Sequence, residues 1–307
     1  MLSGVLWKWN EDKSLNAFSS GDESQLKLPV KVICIGGLTD GLNACPWIFK
    51  MSAACQASGW NMIQPLLSSS YLGYGTGSLQ RDTEEIVALI EHVVSQHACE
   101  KVVLVGHSTG CQNAIHFLRN AATQVRSRVV AVVLQAPVSD QEAGEMEPDQ
   151  PQWLRHAREE CARHGEAACE EILMPMHMHY SPITVSRFLA LHERYGADDM
   201  FSSYLTDDEL SERLNCFEHS FPSTHVTDME STPCPRIPVL VAFSMADEYV
   251  PTSVDKHTLL TRMVSAMGSS AICLPIEGAN HNLSEPKDGS AIEKFVDNVV
   301  GIINGAT

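Results

Sequence analysis

The chemistry-bearing stretch of this 307-residue chain is Gly106-His107-Ser108-Thr109-Gly110. A serine hydroxyl is a weak nucleophile on its own and needs a base to act at neutral pH. The G-x-S-x-G pattern gains meaning when a strand precedes it and a helix follows it. Both are expected here. Lys101–Gly106 reads KVVLVG, a β-branched apolar run, and a helix is expected from about Cys111 to Ala122. The glycines allow a sharp turn without a Cβ clash. The helix N-terminus would point free N–H groups at a developing negative charge. Ser108 is therefore read as a nucleophile rather than as a structural corner.

The chain has 13 histidines, so the base must be selected. In one of the known chain orders the acid and then the histidine follow the serine, each on a loop after a later strand. Two apolar runs near the end, IPVLVAFS (237–244) and SAICLPIEG (270–278), supply those strands. The loop after the first holds Asp247, with Glu248 beside it as the rival acid. The loop after the second holds His281. In this reading His281 takes the proton from Ser108 and later gives it to the leaving group, while Asp247 orients the imidazole.

Two preorganised N–H donors are needed for the oxyanion. One is expected from Thr109, directly after the nucleophile. The other is expected from Gly36-Gly37-Leu38-Thr39-Asp40-Gly41, at the end of the run VKVICIGGL. The Leu38 amide is preferred and the Gly37 amide is the alternative. The same string lacks the Lys-Ser/Thr of a phosphate-binding loop, so that reading is set aside. Tyr71 and Tyr74, in the loop SSSYLGYGTGS, either line the substrate site or pack within the loop. His177 and His179 in MPMHMHY have metal-like spacing on an expected strand, but no nearby pattern completes a metal site. His107 and Cys111 are expected to pack rather than act. No metal or organic cofactor is called for.

These residues need a frame to hold them. GVLWKWN and LNAFSS read as an opening hairpin around Glu11-Asp12-Lys13. VKVICI, WNMIQPLL (60–67), KVVLVG and VVAVVLQAP (129–137) read as strands separated by helices at about 47–58, 79–97 and 111–122. Ser78 is the expected N-cap of the second helix, where Ile86, Leu89, Ile90 and Val93 share a face. The strands are continuous apolar runs, as burial on both faces of a mostly parallel sheet requires. From 138 to 236 the pattern turns helical and acidic, and it is read as a lid inserted into a core made of 1–137 and 237–307. Within it, Ser181-Pro182 is expected to start a helix running to Tyr195, and Thr206–Glu209 is a capping box. A last helix is expected at about 290–303.

The formal net charge of −17 argues against a nucleic-acid partner. No apolar run approaches 18 residues, so no membrane span is expected. The start, MLSGVLWKWNEDK, does not read as a signal peptide. None of the ten cysteines forms a C-x-x-C pair, and a reducing cytoplasm is the expected compartment. The composition leaves the oligomeric state open.

Taken together, GHSTG, Asp247–Pro251 (DEYVP) and Gly278–Leu283 (GANHNL) resemble the α/β-hydrolase superfamily. More narrowly, IGGLTDGL (35–42), SSSYLGYGTGSLQRD (68–82), SPITVSRFLAL (181–191) and DDMFSSYL (198–205) resemble a domain-of-unknown-function family that includes fungal fusarinine-type siderophore esterases. The resemblance implies an α/β-hydrolase fold and an esterase acting on a small or medium ester. A thioesterase or acyltransferase with the same triad, or a non-enzymatic binding protein of this fold, are the alternatives. The acidic lid is compatible with a cationic, ornithine-like ester substrate, although solubility explains the same charge with less effort.

Overall fold

The computed structural model describes residues 2–217 and 236–307. Its centre is an eight-stranded sheet: β1 (Gly4–Asn10), β2 (Leu15–Ser20), β3 (Val30–Ile35), β4 (Asn61–Pro65), β5 (Lys101–His107), β6 (Val129–Gln135), β7 (Val239–Ser244) and β8 (Ala271–Ile276). The spatial order is β1-β2-β4-β3-β5-β6-β7-β8. β1 and β2 form the expected antiparallel hairpin, and β2 runs antiparallel to β4. Every pairing from β4 to β8 is parallel.

The helices are α1 (Trp47–Ala57), α2 (Leu79–Gln96), α3 (Thr109–Asn120), α4 (Thr123–Arg126), α5 (Asp140–Glu145), α6 (Gln150–His164), α7 (Glu166–Cys169), α8 (Val185–His192), α9 (Asp207–Leu214), α10 (Lys256–Met267) and α11 (Ser290–Ala306). Side chains alternate across each strand, so one run serves two cores. In β5, Val102 and Leu104 pack with α2, α3 and α10, whereas Val103 and Val105 pack with α1 and α11. Leu104 is paired in register with Ile33 and Val132. All three are fully buried, and burying each such side chain contributes about 1.5–3 kcal/mol.

α2 begins at the Ser78 cap, whose hydroxyl accepts from the Arg81 amide at 3.1 Å. Its Ile86, Leu89, Ile90 and Val93 all enter the core. The capping box at Thr206–Glu209 is also formed.

Helices α5–α9 lie between β6 and β7, and the segment 218–235, with Cys234, falls outside the described residues. α6–α8 and the segments joining them build a third, smaller core around Phe188, Ile183 and Met174, in which Tyr74 takes part and against which Leu38 packs, whereas Leu210 and Leu214 of α9 join the first core. Two expectations in this region are corrected. Ser181 does not cap a helix, because its hydroxyl is buried against Tyr74 Oη. α8 starts three residues later, where Thr184 caps the Arg187 amide at 3.2 Å, and it stops at His192 rather than Tyr195. The His177–His179 segment lies in turns rather than on a strand. His179 is buried, with Nδ1 against the Ser181 carbonyl at 2.9 Å.

Candidate active site

Ser108 sits at the corner between β5 and α3, with φ 53° and ψ −125°. Non-glycine residues avoid such a backbone, which costs about 1–3 kcal/mol and persists where neighbours over-determine it. Here the Ser108 amide donates to the Gln135 carbonyl at 3.0 Å, and its own carbonyl accepts from the Cys111 amide at 2.8 Å. The flanking glycines are required by contact. A Cβ on Gly106 would stand 2.4 Å from the Gly110 carbonyl oxygen, and one on Gly110 would stand 2.3 Å from that of Ile35. α3 therefore begins at Thr109, two residues before the expected start. Cys111 is fully buried and donates its thiol to the Gly106 and Gln135 carbonyls, which is a packing role.

His281 and Asp247 meet as their loops leave β8 and β7. His281 Nδ1 lies 2.8 Å from Asp247 Oδ2, and both residues are buried. Glu248 does not compete for the imidazole. Its carboxylate accepts the His281 backbone amide at 2.9 Å. The Asp247 carboxylate also accepts from the Tyr249 amide at 3.0 Å, and the Tyr249 ring packs edge-on against His281 with centroids 4.7 Å apart. The side-chain amide of Gln135, at the end of β6, donates to the His281 carbonyl at 2.9 Å. The histidine is thus fixed at its ring, its amide and its carbonyl.

The loop after β3 approaches Ser108 closely. A Cβ on Gly37 would stand 2.6 Å from Ser108 Cβ and 3.2 Å from Oγ. The Gly37 amide is already engaged, donating to the Asp40 carboxylate at 2.8 Å. Among the described residues the Leu38 amide, the other one expected from this loop, makes no such bond. Thr109, first residue of α3, has no intrahelical acceptor for its amide.

Ser108, His281, Leu38, Gly37, Glu248 and Tyr249 share one cavity of about 260 Å³. Neither expected tyrosine lines it. Tyr71 is half-exposed and lies over Gly41, with its hydroxyl accepting from the Leu42 amide at 3.4 Å. Tyr74 is buried, bonded to Ser181, and lines a smaller neighbouring cavity. Two other residues, which sequence reasoning did not single out, line this cavity instead. Tyr180 stacks on His179 at its edge, with ring centroids 4.4 Å apart. Asp140, at the start of α5, reaches it from the end of β6 and accepts from Gln112 Nε2 at 2.9 Å. Burial, with the nearby Asp198 carboxylate, raises the Asp140 carboxyl to about 7. Its place just past a strand end was the available signal. His107 is buried, and desolvation, with His281 close by, lowers its imidazole to about 3.

A mostly parallel sheet, with a strained serine at a strand–helix corner and a His–Asp pair at later strand ends, is the architecture of an α/β-hydrolase-fold hydrolase. The chain belongs to the family described as Protein of unknown function (DUF1749), whose profile matches residues 2–304. It is 29% identical to the Fusarinine C esterase sidJ of Aspergillus fumigatus, over 99% of this chain and 96% of that protein. It is 28% identical to Esterase AN6793 of Emericella nidulans, over 89% and 85%. Among solved structures, the siderophore hydrolase EstB from Aspergillus fumigatus superposes with a TM-score of 0.80 at 27% identity, covering 100% of this chain and 98% of that one.

Proposed function

We propose that this protein hydrolyses carboxylic esters of small molecules through an acyl-enzyme on Ser108. The observation that carries the reading is the His281–Asp247 pair at 2.8 Å, with His281 lining the same cavity as Ser108, a serine held at φ 53°. Ser108 Oγ attacks the ester carbonyl carbon while His281 Nε2 takes its proton. The resulting oxyanion is held by the Thr109 and Leu38 amides. Imidazolium then protonates the leaving alkoxide, the C–O bond breaks, and the alcohol departs. Water, deprotonated by the same imidazole, attacks the acyl-Ser108 and releases the acid. Asp247 keeps the proton on Nδ1 and stabilises the imidazolium.

Helices α5–α9 act in this reading as the lid over the cavity, which Val138, Asp140, Ala143 and Tyr180 line from their side. The likeness to the fusarinine C esterase sidJ and the siderophore hydrolase EstB makes siderophore esters the first substrates to assay. Among the described residues no helix is long and apolar enough to cross a membrane. A cytoplasmic setting belongs to this reading as an expectation from the sequence.

A fluorophosphonate tests the nucleophile directly. One adduct is expected by intact mass, and peptide mapping should place it on Ser108. An adduct on another residue, or none, rejects the assignment. An ester panel of varied acyl length and charge, assayed beside thioesters, then fixes the substrate class.

A further inference from the structure

A cluster beside the elbow takes no part in the ester chemistry. Asp40, Cys45 and His107 each bring a ligating atom within 4.8 Å of the other two, and all three line the catalytic cavity. The tautomer of His107 follows from its neighbours. Gln135 Nε2 donates to the His281 carbonyl, so Gln135 Oε1 faces His107 Nδ1 at 2.5 Å, and Nδ1 carries the proton. Nε2 is left with its lone pair, 3.8 Å from Asp40 Oδ2. A lone pair facing a carboxylate is unfavourable unless something positive lies between them. Among the described residues Asp40 has no other ion-pair partner.

We infer that Asp40, Cys45 and His107 form a binding site for one borderline-soft divalent cation of the Zn²⁺ type. Three protein ligands of mixed N, S and O character with a position open to solvent suit zinc. Mg²⁺ and Ca²⁺ prefer oxygen alone. Gln135 provides the outer hydrogen bond that fixes a metal-binding imidazole. The Gly37 amide does the same for the Asp40 carboxylate. On binding, the Cys45 thiol releases its proton to water as the S–metal bond forms.

The cation inhibits. The His107 and His281 ring centroids are 4.9 Å apart, so a dication on His107 opposes the imidazolium that His281 must become. Ligation of Asp40 also pulls on the loop that carries the Leu38 amide. This inhibitory consequence rests on the proposed triad, whereas the binding does not.

The test titrates the full metal-stripped chain by calorimetry with ZnCl₂ and MgCl₂, and follows Co²⁺ by absorption. One equivalent of Zn²⁺, no Mg²⁺ heat and a thiolate-to-Co²⁺ charge-transfer band are expected. Cys45→Ala and Asp40→Asn should each weaken Zn²⁺ at least about tenfold, with folding checked by melting curve and inhibition scored against each variant's own metal-free rate. The exposed Cys273→Ala should bind as the parent does. Equal affinity in the parent, Cys45→Ala and Asp40→Asn, or no binding to the parent, overturns the site. Stoichiometric binding that needs Cys45, in a protein whose metal-free form hydrolyses no ester, upholds the site and rejects the hydrolase reading.

Discussion

Asp247 and Glu248 are adjacent in the chain yet grip opposite sides of one histidine. Asp247 takes the ring at Nδ1, 2.8 Å away, and Glu248 takes the backbone amide at 2.9 Å. Two neighbouring carboxylates therefore have separable roles. Asp247→Asn should lower kcat by on the order of 10⁴, because an amide opposite Nδ1 favours the wrong tautomer. Glu248→Gln should lose no more than about tenfold, since the glutamine carbonyl still accepts the amide. Steady-state kinetics on one ester decides the matter, and the reverse ranking would transfer the acid role to Glu248.

Ser108→Ala should lower kcat by on the order of 10⁶ while leaving a rate above water from the remaining site. The side chain of Ser108 makes no hydrogen bond among the described residues, so its loss removes no structural contact of that kind. The melting temperature should stay near that of the parent. A variant keeping most of its activity would sink the assignment.

Gly37→Ala probes the loop after β3. The new Cβ would fall 2.6 Å from Ser108 Cβ and 3.3 Å from the His107 carbonyl oxygen. The backbone must give way, and the Leu38 amide moves with it. The expected loss is 10²–10³ in kcat, about that of removing one oxyanion donor, with KM much less affected. An unchanged kcat would mean that this loop does not hold the oxyanion.

The sheet was legible because burial on both faces leaves a mark that survives in one sequence. β5 reads as an uninterrupted apolar run, and Gly106 and Gly110 stand where backbone meets backbone. The Asp247 and His281 positions were legible for the same reason, since each follows such a run. What failed depended on distant partners. Ser181 looks like a helix cap until Tyr74, 107 residues earlier, claims its hydroxyl. The Gly37 amide looks free until Asp40 folds back on it. Asp140 carries no local sign that Asp198 lies close enough to raise its carboxyl.

That last relation makes stability depend on pH in a defined direction. In the unfolded chain Asp140 titrates near about 3.9, whereas burial and Asp198 raise it to about 7 in the folded protein. Between those values the folded state binds more protons than the unfolded one. Stability from this group is therefore intact below about pH 4, falls as pH rises toward about 7, and stays lost above it. The full loss is at most about 4 kcal/mol, and relaxation around the carboxylate reduces it. Asp140→Asn does not ionise, and its carbonyl can still accept from Gln112 Nε2. Relative to the parent, the variant should gain stability on going from pH 5 to pH 8, whatever its constant offset. Chemical denaturation of both proteins at the two pH values measures this double difference, in which unrelated titrations cancel. A double difference of zero would mean that the Asp140 carboxyl ionises as freely in the fold as in water, and that the cavity beside Ser108 is better solvated than its packing implies.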